Sequence, residues 1–336
     1  MNWKVPDGCH DPLMVNLGKI LEQEQALSPD IFPNLRGDEE LVIASDYSGE
    51  HQGSRYSVFA YLLTDLSSLQ VWERERVAIR REFVPDGRRM AFKNLADARR
   101  QMVLYSFLNA AGKLNGILFC VAIDKMAGQW DLPQGFLGLD GIKAGVREKI
   151  VNVFLYGSFL IGGLSRAGQT IRWITDDDEI VSNESTQQAA MQVMGSMLTA
   201  RCTHGLAGGA LGIASKFEDG RRAEDLCAVP DLVAGAFSEY LTIAPEGTIN
   251  EAGLYVPKAT MYSTKTTLIL GWLSTLRGLL KQTCCLASPN GHNGRSYRFL
   301  SISTWVDPVG GPLWTPPDKG WKRTIEGWGF GRDYGV

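Results

Sequence analysis

Acidic residues stand at three places where the sequence pattern predicts that a strand ends or a helix begins. Asp46 ends a first apolar run, and Asp176 and Asp177 follow a later one. Asp231 falls in the first turn of a late helix that is predicted to begin at Pro230. The ends of neighbouring strands lie close together in an α/β sheet, so we expect these carboxylates to converge.

Converging carboxylates bind hard cations. Mg²⁺ and Mn²⁺ prefer oxygen ligands, and two such ions about 4 Å apart can activate water and stabilise the leaving oxygen of a phosphodiester. The pattern therefore predicts a metal-dependent nuclease that uses Mg²⁺ or Mn²⁺. Its candidate catalytic and metal-binding residues are Asp46, Asp176, Asp177 and Asp231. A second interpretation stays open, because Asp is also common at these positions as a helix cap or turn residue.

The elements that must position these residues alternate between strands and helices. Two β-rich runs, 41–46 and 56–63, predict an antiparallel hairpin. The later segments are predicted as helix, strand, helix, strand, helix, strand and helix, in this order: 66–110 with a break at 85–87, 116–123, 146–164, 169–175, 182–198, 206–214 and 230–241. This interleaving is typical of an α/β fold.

The chain changes in character after the late helix. A further helix is predicted over 261–282, and residues 286–336 are rich in Gly, Pro and Trp. We therefore predict an N-terminal extension over 1–40, a main domain over 41–243 and a C-terminal extension over 244–336. The tryptophans of the last part could stack on unpaired bases, but packing onto the main domain suits such large aromatic side chains better. They are Trp305, Trp314, Trp321 and Trp328.

Four short motifs carry a resemblance to a known family. They are Ile43-Ala-Ser-Asp46-Tyr-Ser-Gly49, Phe92-Lys93-Asn-Leu95, the strand leading to Asp176, and Asp225-Leu-Cys-Ala-Val-Pro-Asp231-Leu-Val-Ala-Gly235. Together they resemble the bacterial domain-of-unknown-function family 3800, which opens with a D-E-S-G motif and closes with an A-D-x-x-A-G motif. The resemblance covers roughly residues 41 to 241. It implies an RNase H-like mixed sheet flanked by helices, and a role in bacterial defence or mobile-element biology.

Two positions depart from the family pattern. Tyr47 stands where the family has a glutamate after its first aspartate, and Ala91 stands where a glutamate often precedes the lysine by two residues. The acidic residues considered as replacements are Glu50, Glu82 and Asp97. These departures motivate a second hypothesis, in which the protein is a catalytically inactive binding or assembly component with the same fold.

A basic segment gives the best candidate for a nucleic-acid surface. Nine of the 27 residues from Arg74 to Arg100 are Lys or Arg, and such a face could follow a phosphate backbone. We take Arg88, Arg89 and Lys93 as the candidate contacts, with DNA and RNA both open. Interspersed acids, including Glu75 and Glu82, favour the alternative of a solvated helix with internal ion pairs.

Composition narrows the setting. The net charge of −3 gives no global basic field, so a nucleic-acid partner would need a local patch or bound metal ions. No C-x-x-C pair or histidine spacing suggests zinc. The first residues lack a signal-peptide pattern, and the chain has no apolar run of about 18 residues. We therefore expect a cytoplasmic protein without membrane contacts, whose further partners are a second copy of the chain or a defence complex.

Overall fold

A seven-stranded mixed sheet forms the core of the computed structural model. The structure describes residues 3, 12–127, 139–244, 254–255, 262–276, 278–289, 295–300 and 302–303. The strands of this sheet are β1 (Glu40–Ser48), β2 (Tyr56–Asp65), β3 (Gly116–Asp124), β4 (Thr170–Thr175), β5 (Gly208–Ile213), β7 (Leu280–Pro289) and β8 (Arg295–Leu300). A separate pair consists of β6 (Leu254–Tyr255) and β9 (Ile302–Ser303).

The strand order of the large sheet is β5-β4-β1-β2-β3-β7-β8. The strands β1, β2 and β3 are antiparallel neighbours, which confirms the predicted hairpin. On one side β4 is parallel to β1, and β5 is parallel to β4. On the other side β7 is parallel to β3, and β8 is antiparallel to β7. The main sheet thus continues into chain beyond residue 244.

Helices cover both faces of the sheet. They are α1 (Pro12–Leu27), α2 (Leu66–Phe83), α3 (Ala98–Ala111), α4 (Ala144–Leu164), α5 (Glu184–Arg201), α6 (Gly220–Ile243) and α7 (Thr264–Thr275). The helices α2, α3, α6 and α7 bury their apolar side chains in one core cluster. The helices α1, α4 and α5 do so in a second cluster on the opposite face. The predicted α/β class with a mixed, helix-flanked sheet is confirmed at this level.

The first strand shows why its sequence is apolar without alternation. Successive side chains of a strand point to opposite faces of the sheet. Val42 and Ala44 belong to one core cluster, whereas Leu41 and Ile43 belong to the other. Because helices cover both faces, every side chain of this stretch is buried, as in other two-sided sheets. Asp46 lies directly after the buried part of the strand, two residues before β1 ends at Ser48.

The late helix α6 is longer than its sequence pattern predicts. It begins after Asp219, whose side chain accepts a hydrogen bond from the backbone N–H of Arg222, and Pro230 lies inside it. The predicted start at Pro230 is therefore wrong, and Asp231 lies in the middle of the helix. Among the described residues, α6 alone is long and apolar enough to cross a membrane. Because 78% of that apolar window is buried inside the protein, α6 has the character of a core helix.

The region after α6 also differs from its prediction. The helix predicted over 261–282 ends at Thr275, and the chain then enters β7 at Leu280. In the sheet β7 pairs with β3, which is distant in the sequence. This pairing determines why residues 280–282 form a strand and do not continue the helix. The four C-terminal tryptophans lie outside the described residues.

Two arginines of the basic segment are buried. Arg76 and Arg80 lie one turn apart on α2 and are 5% and 8% exposed. Both bind Asp225 on α6, which is 1% exposed, and the distance from Arg76 Nη1 to Asp225 Oδ2 is 2.8 Å. These two basic residues therefore link α2 to α6, whereas the alternative interpretation predicted a solvated helix with ion pairs inside it.

Candidate active site

The ends of two parallel strands bring Asp46 and Asp176 to the same edge of the sheet. The register of β1 and β4 pairs Ser45 with Thr175, and each aspartate is the next residue along its strand direction. Both side chains are partly buried. The predicted convergence of these two carboxylates therefore follows directly from the parallel pairing.

Helix α6 adds Asp231 to this edge. The helix packs against β1 and β2, which places the middle of α6 beside the end of β1. Burial raises the pKa of Asp46 well above its usual value, and the negative charges of Asp231 and Asp176 raise it further. Burial likewise raises the pKa of Asp231 to about 6, although the backbone N–H of Phe92 opposes the shift. The three carboxylates therefore repel one another at close range.

A cavity of about 380 Å³ opens over these carboxylates. Its acidic lining consists of Asp46, Glu50, Asp176, Asp177, Asp178 and Asp231. All four aspartates predicted from the sequence thus line one cavity, although they come from widely separated parts of the chain.

The structure separates the roles of the three consecutive aspartates. Asp177 is exposed, and its Oδ2 accepts a hydrogen bond from Ser215 Oγ at 3.3 Å. In contrast, the charges of Asp176 and Asp178 both raise the pKa of Asp46. Asp176 and Asp178 therefore face the carboxylate cluster. The Asp177 side chain is directed instead toward Ser215, which follows β5.

Gly49 fixes the turn that follows Asp46. Its φ is +88°, in the left-handed region that residues with a Cβ rarely adopt. A Cβ here would lie 2.0 Å from the carbonyl oxygen of Tyr56 at the start of β2. Only glycine therefore allows the turn to pass this close to β2. This explains why glycine follows Asp46-Tyr-Ser at position 49.

The segment 84–97, called here the α2–α3 loop, covers one side of the cavity. Its Phe92 backbone N–H donates to Asp231 Oδ2 at 2.6 Å. Lys265 Nζ in α7 donates to the Phe92 carbonyl oxygen at 3.0 Å and lies 3.8 Å from the centroid of the Phe92 ring. Phe92 is thus held between α6 and α7, and the loop is fixed against a candidate metal ligand.

The same loop places a guanidinium inside the acidic cluster. Arg89 Nη2 lies 2.6 Å from each carboxylate oxygen of Asp176. Arg89 Nε lies 3.8 Å from Glu224 Oε1 and, though buried, has no hydrogen-bond partner. Arg89 therefore neutralises Asp176 in this structure.

A buried lysine organises the far side of the cavity. Lys149 of α4 is 5% exposed, and its Nζ binds Glu50, Asp178 and Glu179. The ammonium also lies 3.7 Å from the centroid of the Tyr47 ring. Burial raises the pKa of the Tyr47 phenol well above its usual value, and the negative charge of Asp178 and a hydrogen bond to that carboxylate raise it further.

The remaining predicted residues divide between the cavity and the surface. Arg89 and Lys93 line the cavity, and the Lys93 side chain is exposed. Arg88 is engaged elsewhere, since it pairs with Asp86 and Asp97. Of the acids considered as replacements at the departing positions, Glu50 lines the cavity and binds Lys149.

The other two replacement candidates do not reach the cavity. Asp97 caps α3 by accepting from the backbone N–H groups of Arg99 and Arg100. Glu82 is exposed on α2 and is not part of the cavity lining. Glu50 is therefore the one replacement acid that the fold brings to the cluster.

The donor chemistry of the cluster suits a hard divalent cation. Asp46, Asp176 and Asp231 supply carboxylate oxygens, and a dication would neutralise the charges that raise the pKa values of Asp46 and Asp231. As the side chains stand, no three His, Cys, Asp or Glu side chains in the described ranges are placed to hold one ion.

Two residues of the site escaped sequence reasoning. Lys149 follows Arg147 and Glu148 near the start of an apolar helix pattern, where charged residues suggest only a solvated end, and Asp178 belongs to the acidic triplet, whose register the sequence leaves open. Neither stands in a motif, because three acidic partners reach Lys149 only through the tertiary fold. No sequence signal singles out Lys149, because Arg147 and Glu148 stand directly before it.

Comparison with protein-family models and with curated proteins found no match to this chain. The fold and the cavity therefore define it as an α/β protein with a mixed, helix-flanked sheet and an acidic cavity at the ends of two parallel strands.

Proposed function

We propose that this protein is a divalent-metal-dependent nuclease with an RNase H-like fold. The observation that carries the proposal is the convergence of Asp46, Asp176 and Asp231 from β1, β4 and α6 on one cavity. Carboxylates that line one cavity supply the oxygen ligands that Mg²⁺ and Mn²⁺ prefer. A solvent-open acidic cavity beside basic residues suits a phosphodiester held by metal ions.

The sheet topology supports the fold assignment. An RNase H-like sheet has a three-stranded antiparallel meander followed by strands that add parallel to its first strand. The order β5-β4-β1-β2-β3, with β4 parallel to β1 and β5 parallel to β4, agrees with that description. In this arrangement the end of β1 and the end of β4 are neighbours, which is where the candidate ligands lie.

The chain's own residues divide the work of the proposed reaction. Asp46, Asp176 and Asp231 would hold the metal, while Asp178 and Glu50 are fixed at the cavity by Lys149. The bound metal would supply Lewis-acid activation of water and stabilisation of the leaving oxygen. Lys93, exposed at the cavity, would orient a phosphate of the nucleic acid. Deprotonated Asp46 and Asp231 are required, so the raised pKa values favour activity at neutral or alkaline pH.

A matched pair of variants tests the proposal. Labelled single- and double-stranded DNA and RNA would be incubated with the full chain and Mn²⁺, and cleavage would be followed on denaturing gels. We expect Asp46→Asn to abolish cleavage, because it removes a carboxylate of the cluster. Asp177→Asn should cleave like the wild type, because the Asp177 side chain turns to Ser215. Equal cleavage by wild type and Asp46→Asn, or none by the wild type with any substrate, would refute the nuclease.

A second candidate function is favoured by the Arg89–Asp176 contact. A guanidinium on both oxygens of Asp176 supplies a positive charge from the protein itself, as in a site that has lost its metal. In that case the protein is an inactive RNase H-like binding or assembly component. A ligand that binds only the native state must raise the melting temperature. Millimolar Mn²⁺ should therefore leave the melting temperature unchanged if this second candidate is correct, and raise it if the nuclease is correct.

A further inference from the structure

Of the three central carboxylates, Asp176 is the one that Arg89 contacts directly. Arg89 Nη2 binds both oxygens of Asp176. The other two carboxylates receive backbone donors instead: the Tyr47 N–H reaches Asp46 Oδ1 at 2.6 Å, and the Phe92 N–H reaches Asp231 Oδ2 at 2.6 Å. Neutral N–H groups leave most of the negative charge on Asp46 and Asp231 in place.

The geometry of Asp176 leaves no room for two cations. A divalent ion needs at least one carboxylate oxygen of each ligand at about 2.0–2.2 Å. Both oxygens of Asp176 are already within 2.6 Å of the same guanidinium nitrogen. An ion that approaches either oxygen would meet the positive charge of Arg89 at close range, and like charges at this separation repel strongly.

A second partner for Arg89 lies nearby. Its Nε is 3.8 Å from Glu224 Oε1, too far for a hydrogen bond, and that buried N–H is without a hydrogen-bond partner. The Arg89 side chain is 39% exposed and belongs to the α2–α3 loop, and Glu224 also binds Arg221 Nη1 through its other oxygen, Oε2, at 2.6 Å. The guanidinium can therefore leave Asp176 without losing all its ionic partners.

We infer that Arg89 and a divalent cation are alternative partners of Asp176, so that metal binding moves Arg89 toward Glu224. The inference rests on the proposed metal site but does not require cleavage. It explains why carboxylates with suitable chemistry are not arranged around an ion in this structure. It also assigns Arg89 as a positioning residue that holds the metal-free site together.

Calorimetric titration with Mn²⁺ alone tests this competition on the full chain. We expect Arg89→Gln to bind Mn²⁺ with a Kd about tenfold lower than the wild type, since a charge-assisted contact no longer has to be broken. Arg88→Gln is the matched control, because the neighbouring arginine pairs with Asp86 and Asp97 and should leave the Kd unchanged. Arg89→Lys keeps a positive charge but loses the planar guanidinium, and its Kd should fall between those of wild type and Arg89→Gln.

The outcomes separate this inference from the nuclease proposal. Melting curves in EDTA would confirm that each variant is folded, and Arg89→Lys keeps the test available if Arg89→Gln is not. Tighter binding by Arg89→Gln, or binding by that variant alone, supports the exchange even if no form cleaves nucleic acid. Equal or weaker binding than the wild type, or no binding by any form, overturns it. An equal gain in Arg88→Gln would also overturn it, because the effect would then be one of general charge.

Discussion

A Cβ atom on Gly235 would lie 2.2 Å from Cγ of Phe92. The glycine of the closing motif on α6 and the aromatic ring of the α2–α3 loop therefore occupy contiguous space. The Phe92 N–H binds Asp231, which lies one turn before Gly235 on the same helix. The contact between Gly235 and the Phe92 ring therefore determines how closely the loop approaches the carboxylates. Two motifs that are about 140 residues apart in the sequence act as one structural unit.

Gly235→Ala should push the loop away from the helix. Overpacking of this kind costs about 1–3 kcal/mol, and the better helix propensity of alanine offsets at most about 1 kcal/mol of that. We expect a lower urea midpoint and, because the loop carries the donor to Asp231, weaker Mn²⁺ binding. Gly195→Ala in α5 is the control, since a Cβ there meets nothing within 4 Å and should stabilise the protein slightly. An unchanged midpoint in Gly235→Ala would mean that Phe92 is free to move aside.

The raised pKa of Asp231 predicts a pH-dependent penalty on folding. Below about pH 4 the carboxyl is protonated in both states, because its ordinary value is 3.8. Between that value and about 6, the unfolded chain loses the proton and the folded protein keeps it, so the free energy of unfolding falls as pH rises. Above about 6 both states are ionised and the loss is complete.

Asp231→Asn should remove this penalty while keeping an acceptor for the Phe92 N–H. In EDTA, we expect its melting temperature relative to wild type to be higher at about pH 7.5 than at about pH 4. Asp177→Asn, at an exposed neighbouring position, serves as the comparison. A difference between Asp231→Asn and wild type that does not vary with pH would show that Asp231 titrates normally.

The buried pairs between α2 and α6 should matter more for stability than any surface pair. Asp225→Asn leaves Arg76 and Arg80 buried without their carboxylate, and breaking such a pair on one side costs about 3–5 kcal/mol. Lys113→Met removes a surface pair with Glu75 and should cost less than about 1 kcal/mol. Urea unfolding of both variants gives the comparison. Equal losses would mean that the buried charges are largely solvated.

The sequence was informative where local rules decide the structure. The hairpin, the interleaved α/β order and the positions of Asp46 and Asp176 follow from apolar runs that end at a charge, because both faces of the sheet are buried. Pro230 suits the first turn of a helix, so the sequence predicted that α6 begins there. The helix in fact begins ten residues earlier, at Gly220, and buries residues both before and after Pro230. The other features of the fold and the site depend on contacts between residues that are distant in the sequence.

Long-range pairing explains what could not be predicted at the site. A single pattern over 261–282 contains both a helix and a strand, and only the pairing of β7 with β3 separates them. Similarly, nothing near Arg89 in the sequence indicates that its partner is Asp176, which lies 87 residues away. The convergence of the carboxylates on one cavity was thus predictable from motif order, but their counter-ions were not.

Lys93 and Arg88 should differ in their effect on nucleic-acid binding, although the sequence treats them alike. Lys93 is exposed and lines the cavity, whereas Arg88 is held by Asp86 and Asp97. A lysine that contacts a phosphate releases a counterion, so Lys93→Ala should weaken binding of a fluorescent oligonucleotide and reduce the salt-dependence slope by about 1. Arg88→Ala should leave both the affinity and the slope near wild type, because its charge is already neutralised within the protein. Fluorescence anisotropy at several salt concentrations, in EDTA to prevent cleavage, measures both quantities. A larger effect of Arg88→Ala would place the nucleic acid on the outer face of the α2–α3 loop, away from the carboxylates.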